Sequence, residues 1–170
     1  MGWLRSGRSG AGFSEAELRA YRDAIRPRLA ALHALLDRQI AEVNDLRHRT
    51  REPDQVRADL LAAEAELEEH AAAWDAATRP APLRALHTEY RASFARARRG
   101  IATVRRGCGM FEEHHRAGDD AEPHAYWKRG HQNMVHARMR MGEIADVLLA
   151  WKPGRPAEAS VASRLHAEDD

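Results

Sequence analysis

Apolar residues in the second half of the chain recur at alternating steps of four and three. Leu83, His87, Tyr90, Phe94, Ala97, Ile101, Val104, Cys108, Phe111 and His115 form one such series. Trp127, Gly130, Met134, Ala137, Met141, Ile144, Leu148 and Trp151 form another. This spacing gathers the side chains into one stripe along an α-helix, which a neighbouring helix must cover. The first half carries Leu18, Tyr21, Ile25, Leu29, Leu32, Leu36, Ile40 and Val43 in an 11-residue repeat, the signature of a nearly straight helix. A shorter series follows at Val56, Leu60, Ala63, Leu67, Ala71 and Trp74. No segment shows the two-residue alternation of a strand.

Punctuation falls between the stripes. Ser14-Glu-Ala-Glu17 matches a capping box, with Phe13 placed as a hydrophobic staple. Pro27 lies inside the first stripe and predicts a kink or a division near Arg26. Arg51-Glu-Pro-Asp54, Arg79-Pro-Ala-Pro82, Gly118 to Pro123 and Lys152 to Pro156 are the later breaks, with Asp54 suited to cap the second helix. The pattern predicts an all-α fold: an antiparallel up-down-up-down four-helix bundle with coiled-coil-like packing. Its third helix, Leu83 to Arg116, would be roughly 50 Å long. Residues 13–152 read as a single domain, 1–12 as a flexible arm and 153–170 as a disordered or loosely docked tail. A helix that long has more seam than one short partner covers, so dimerisation to complete the core is the main alternative.

Charge changes this picture. The formal net charge is only +1, which argues against a globally basic nucleic-acid binder. Yet Arg51 to Thr78 holds eight acids against Arg51 and Arg57, and Arg79 to Arg106 holds eight arginines against Glu89 alone. On the third helix, Arg84, Arg91, Arg98 and Arg105 share one heptad position, and Arg99 and Arg106 share the next. One reading is an anion-binding face. The other places the acidic second helix beside it, so that the two blocks fix which helices are neighbours. No aromatic residue interleaves with the arginines to stack bases, so sequence-specific nucleic-acid recognition is not expected.

Candidate chemistry is sparse. Cys108 is the only cysteine, which excludes an intrachain disulfide and a multi-cysteine zinc framework. Cys108, Glu112 and His115 share a helix face, and folding the third helix onto the fourth brings them towards His124 and His131, with His48 at the same end. A transition metal held by a subset of these five is the one cofactor worth testing, and no cofactor is otherwise predicted. Glu112 to His115 has the Glu-x-x-His spacing of carboxylate-bridged di-metal bundles, but no second copy exists. His70 and His87 sit level near the opposite end, where a buried histidine bonded to Glu66 or Tyr90 is the structural expectation. Met134 and Met141 read as core and Met139 and His136 as outward, which argues against a copper site. Gly100, Gly107 and Gly109 lie within the third helix, where a local kink or a close helix approach is predicted around Gly107–Gly109, and Gly130 and Ala137 mark a notch in the fourth helix.

There is no nucleophile motif, phosphate loop or ~20-residue apolar span. The chain therefore reads as a non-enzymatic helical-bundle interaction or scaffold protein, self-associating or binding another protein, in the cytoplasm. Its rivals are a metal- or ligand-binding bundle with its site at the His/Cys/Glu end, and an adaptor that grips an anionic partner through the arginine face.

Overall fold

The computed structural model describes residues 14–152, so the proposed arm, the tail and the Phe13 staple lie outside the described residues. Four α-helices follow one another: α1 (Glu15–Arg47), α2 (Pro53–Asp75), α3 (Arg84–Arg116) and α4 (Ala121–Ala150), with a 3-10 turn at Ala81–Leu83. The described residues contain no strand. α1 and α3 are each 33 residues long. α3 packs most extensively against α4 and also against α2, while α1 touches α2 and α4.

The capping box forms: the Glu17 N–H donates to Ser14 Oγ at 3.2 Å, and the Ser14 N–H donates to the Glu17 carboxylate at 2.8 Å. Of the kink or division expected near Arg26, the division does not occur: α1 runs on through Pro27. Its ring is exposed, so the carbonyl it leaves unpaired is on the watered side, where solvent takes the place of the lost N–H. Asp54 is not the cap of α2. Pro53 takes the first helical position, where its missing N–H costs nothing, and Asp54 joins the first turn, where its charge suits the helix dipole.

α1 and α3 both end in a reversed turn closed by two backbone bonds. The Arg49 and Thr50 N–H groups donate to Leu46 and Asp45, and those of Gly118 and Asp119 donate to His115 and His114. Each turn needs a left-handed residue. Gly118 supplies one at φ 75°, but Arg49 adopts φ 59° with a side chain attached.

Every predicted stripe position of α2 and α4 is buried, as are those of α1 except half-buried Ile40. Burial on α3 fades beyond Cys108: Phe111 is half-buried and His115 exposed, so the seam is shorter than the spacing suggested. α3 also buries a third row, Leu86, Ser93, Gly100 and Gly107, seven residues apart. The glycines of this row let α4 approach. A Cβ placed on Gly100 would lie 2.8 Å from the Gly130 carbonyl oxygen, and one on Gly130 would lie 2.6 Å from that of Gly100. One on Gly107 would meet the Trp127 indole at 2.8 Å. Backbone meets backbone here. Gly109, by contrast, is exposed, with its nearest neighbour in that test 3.9 Å away.

Cross-helix ion pairs ring the core. Between α1 and α2, Arg38 reaches Glu66 at 3.1 Å and Arg28 donates to the Ala73 carbonyl at 2.7 Å, while Arg51 of the connecting loop reaches Asp59 at 2.8 Å. Arg91 meets Asp75 at 2.9 Å, Arg98 meets Glu68 at 2.8 Å, and Arg105 pairs with Glu64 between α2 and α3. Arg138 meets Asp37 at 2.9 Å between α4 and α1, and Arg140 pairs with Glu89 between α4 and α3. In each of the first two sets, residue numbers rise along one helix as they fall along the other.

Candidate functional site

The arginine face divides in two. Arg91, Arg98 and Arg105 turn to the acidic helix α2, so the opposed charge blocks are neighbours in space. Asp75 is shared, because Arg79 also reaches it at 3.2 Å. Arg106 lies over the Tyr126 ring of α4, 5.2 Å from its centroid. Arg84 and Arg99 are exposed and have no ion-pair partner among the described residues. Between α2 and α3 runs a groove of about 320 Å³, floored by buried Leu67, Ala71 and Phe94 and edged by Arg91, Arg98, Arg99 and Glu68. The Arg91 guanidinium lies 5.5 Å from the Phe94 ring centroid. The apolar floor was not legible, because Phe94 and Leu67 are simply core positions in the heptad.

At the opposite end of α3, the proposed metal ligands bond to other residues rather than converging on one another. The Cys108 thiol is buried, and desolvation pushes its pKa up to about 11 despite the nearby Trp127 indole, which acts to lower it. The Glu112 side chain is 85% exposed, beside Arg116 at 3.6 Å. His115 Nδ1 lies 3.0 Å from Asp120, whose other carboxylate oxygen accepts from Arg49 at 2.9 Å. The His115 bond, before any other influence, holds the Asp120 carboxyl below its ordinary range. The His124 Nδ1–H donates to the Asp120 carbonyl at 2.7 Å, and its ring packs on Trp127. Arg47 donates to His131 Nδ1 at 3.4 Å, and burial lowers the His131 pKa. Among the described residues, no three His, Cys, Asp or Glu side chains converge as a metal-holding group. A pocket of about 210 Å³ nonetheless opens here between Arg49, Arg51, Phe111, His115 and Trp127.

The strongest buried polar feature lies at the other end. Tyr21 Oη and His87 Nε2 are 2.7 Å apart in a hydrogen bond, although one is on α1 and the other on α3. Trp74 of α2 stacks on His87 with centroids 4.6 Å apart, and its indole N–H donates to the His87 carbonyl at 3.3 Å. Trp74 also packs on Tyr90, whose hydroxyl is 3.3 Å from His33 Nε2. Tyr90 is therefore not the partner of His87, and His70 instead lies 3.8 Å from Glu66. Desolvation, helped by Arg79, lowers the His87 pKa to about 4, so its ring is neutral at pH 7. Burial raises the pKa of both tyrosines. His87 Nδ1 is buried without a partner among the described residues. Polar-tipped aromatics at stripe positions were the available signal, but a stripe does not say which partner lies across the core.

Compared with protein-family models, curated proteins and solved structures, the chain has no significant match. Its function must be argued from the side chains. Met134 and Met141 are core residues while Met139 and His136 are exposed, and His136 accepts from Arg96 at 2.9 Å. No described helix is long and apolar enough to cross a membrane.

Proposed function

We propose that this protein is a non-enzymatic helical-bundle interaction module, built as one domain with up-down-up-down connectivity. The pairing of ascending with descending residue numbers between α1 and α2 (Arg28 with Ala73, Arg38 with Glu66), and between α2 and α3, supports that topology. The observation that carries the function is the closure of the core within one chain. The stripes of α2 and α4, and that of α3 as far as Cys108, are consumed internally. Contacts with another molecule then belong to the outer faces, whether that molecule is a second copy or a different protein.

The buried ionisable groups fit a structural role. A thiol with a pKa near 11 is protonated at neutral pH and is a poor nucleophile. A histidine with a pKa near 4 is a weak base at neutral pH, and its Nε2 is already bonded to Tyr21. The anionic-partner reading is favoured by Arg84 and Arg99, which have no ion-pair partner among the described residues and stand beside partly neutralised arginines.

A native mass spectrum of untagged protein, prepared without chelator, tests the module. The expected result is 19.1 kDa or an integral multiple, with no added mass. A reproducible bound mass would replace the module by a ligand- or metal-binding bundle.

A further inference from the structure

The groove between α2 and α3 combines an apolar floor with an incompletely neutralised cationic edge. Leu67, Ala71 and Phe94 at its base are 2–3% exposed, yet the groove above them is open and about 320 Å³ in volume. Arg99 stands on its edge with no ion-pair partner among the described residues. Arg91 shares Asp75 with Arg79, so releasing Arg91 leaves Asp75 paired. Arg98 is held by Glu68, but both side chains are at least half exposed, at 60% and 50%. Pairs of that exposure contribute only ~0–1 kcal/mol and exchange readily for a better acceptor.

We infer that this groove docks an acidic peptide segment of a partner protein, with an aliphatic side chain over Phe94 and flanking carboxylates on Arg91, Arg98 and Arg99. The inference rests on the interaction-module reading and gives it a partner chemistry. Geometry favours a peptide over a small anion. Arg91 and Arg98 are seven residues apart on α3, roughly 10 Å along its axis, about the length of three polyproline-II residues at ~3.1 Å each, a conformation that returns residues i and i+3 to one face. Guanidinium groups donate paired, coplanar hydrogen bonds to carboxylates, and the neighbouring apolar floor shields that contact from water.

The test is an NMR titration of the full-length protein with acetyl-Asp-Leu-Ala-Asp amide, following arginine Nε–H and α2 and α3 amide signals. The neutral acetyl-Asn-Leu-Ala-Asn amide serves as the comparison. The acidic peptide should shift the signals around Arg98 and Arg99 with a Kd of ~0.1–1 mM, as a short flexible ligand with few charged contacts allows. Arg99→Glu should weaken it at least tenfold, and Arg84→Glu, outside the groove, by less than twofold. Arg99→Gln provides the same reading should the charge reversal disturb folding.

Three results would overturn the inference: no shifts at millimolar peptide, equal shifts with the neutral peptide, or equal losses from both charge reversals. Displacement of the peptide by an equimolar single-stranded oligonucleotide would also overturn it, in favour of a nucleic-acid partner. Failure of the peptide with an unmodified native mass removes this groove and leaves the module standing. A bound mass removes the module itself.

Discussion

His87 shows how one residue couples burial to pH. Its folded pKa of about 4 lies below the ordinary 6.5, so the unfolded chain binds a proton more readily than the folded one. The associated stability is fully present above pH 6.5 and is lost as pH falls towards 4, on the order of 3 kcal/mol in all. Burial lowers the pKa of His33 and His131 as well, adding loss of the same sign. His87→Gln should therefore flatten the pH dependence of urea unfolding between pH 7 and pH 4.5, while the other histidines keep theirs. An unchanged slope would mean that His87 is hydrated in the native state. Cys108 gives a second residue-scale expectation: thiol reagents at pH 7 should modify it only as fast as the protein opens. The sequence supplied the stripe position of both residues. It did not supply Tyr21 as the partner of His87, because that bond joins residues 66 apart whose relative height depends on how four helices settle.

At the scale of elements, glycine has opposite meanings at two positions on α3 and α4. Gly130→Ala should destabilise by several kcal/mol despite the ~1 kcal/mol gain in helix propensity, because the new methyl group meets the Gly100 carbonyl oxygen at 2.6 Å. Gly109→Ala should stabilise by up to ~1 kcal/mol, since it gains the same propensity and meets only the Arg57 guanidinium at an ordinary 3.9 Å. Thermal unfolding of the two variants checks both signs. The small-residue notch at Gly130 and the close approach at Gly107 were legible in the spacing, whereas Gly100 came to light only with its partner in place. Gly109 was misplaced because a run of glycines does not reveal which one faces inward.

The arginine band divides for a similar reason. Heptad position placed the residues on adjoining rows, but α2 claims one row and Arg106 lies over Tyr126. Arg105→Ala should cost no more than ~1 kcal/mol in thermal unfolding, as suits a partly exposed pair. The turn after α1 offers a stabilising change. Arg49→Gly relieves the strain of φ 59°, and its benefit of up to ~1 kcal/mol is offset by loss of the Asp120 contact. Arg49→Ala loses that contact and keeps the strain, so the glycine variant should be the more stable of the two.

Across the whole molecule, the helical class, the four stripes and the breaks between them were readable because burial repeats along a helix. The continuity of α1 through Pro27 was not, since it depends on the proline facing water. The His/Cys/Glu end shows the same limit: common faces and nearby levels did not guarantee convergence. His115 turns to Asp120, His131 to Arg47 and Glu112 to solvent. Together the four helices bury their stripes against one another, and on the proposed reading recognition falls to outer surfaces such as the α2–α3 groove.

Native-state hydrogen exchange of the α3 amides from Tyr90 to Cys108 tests that closure most directly, measured in dilute protein and again at a hundredfold higher concentration. A core completed within one chain predicts strong protection that is the same at both concentrations. Protection that appears only in the concentrated sample would show that a second chain completes the core, and would contradict the account.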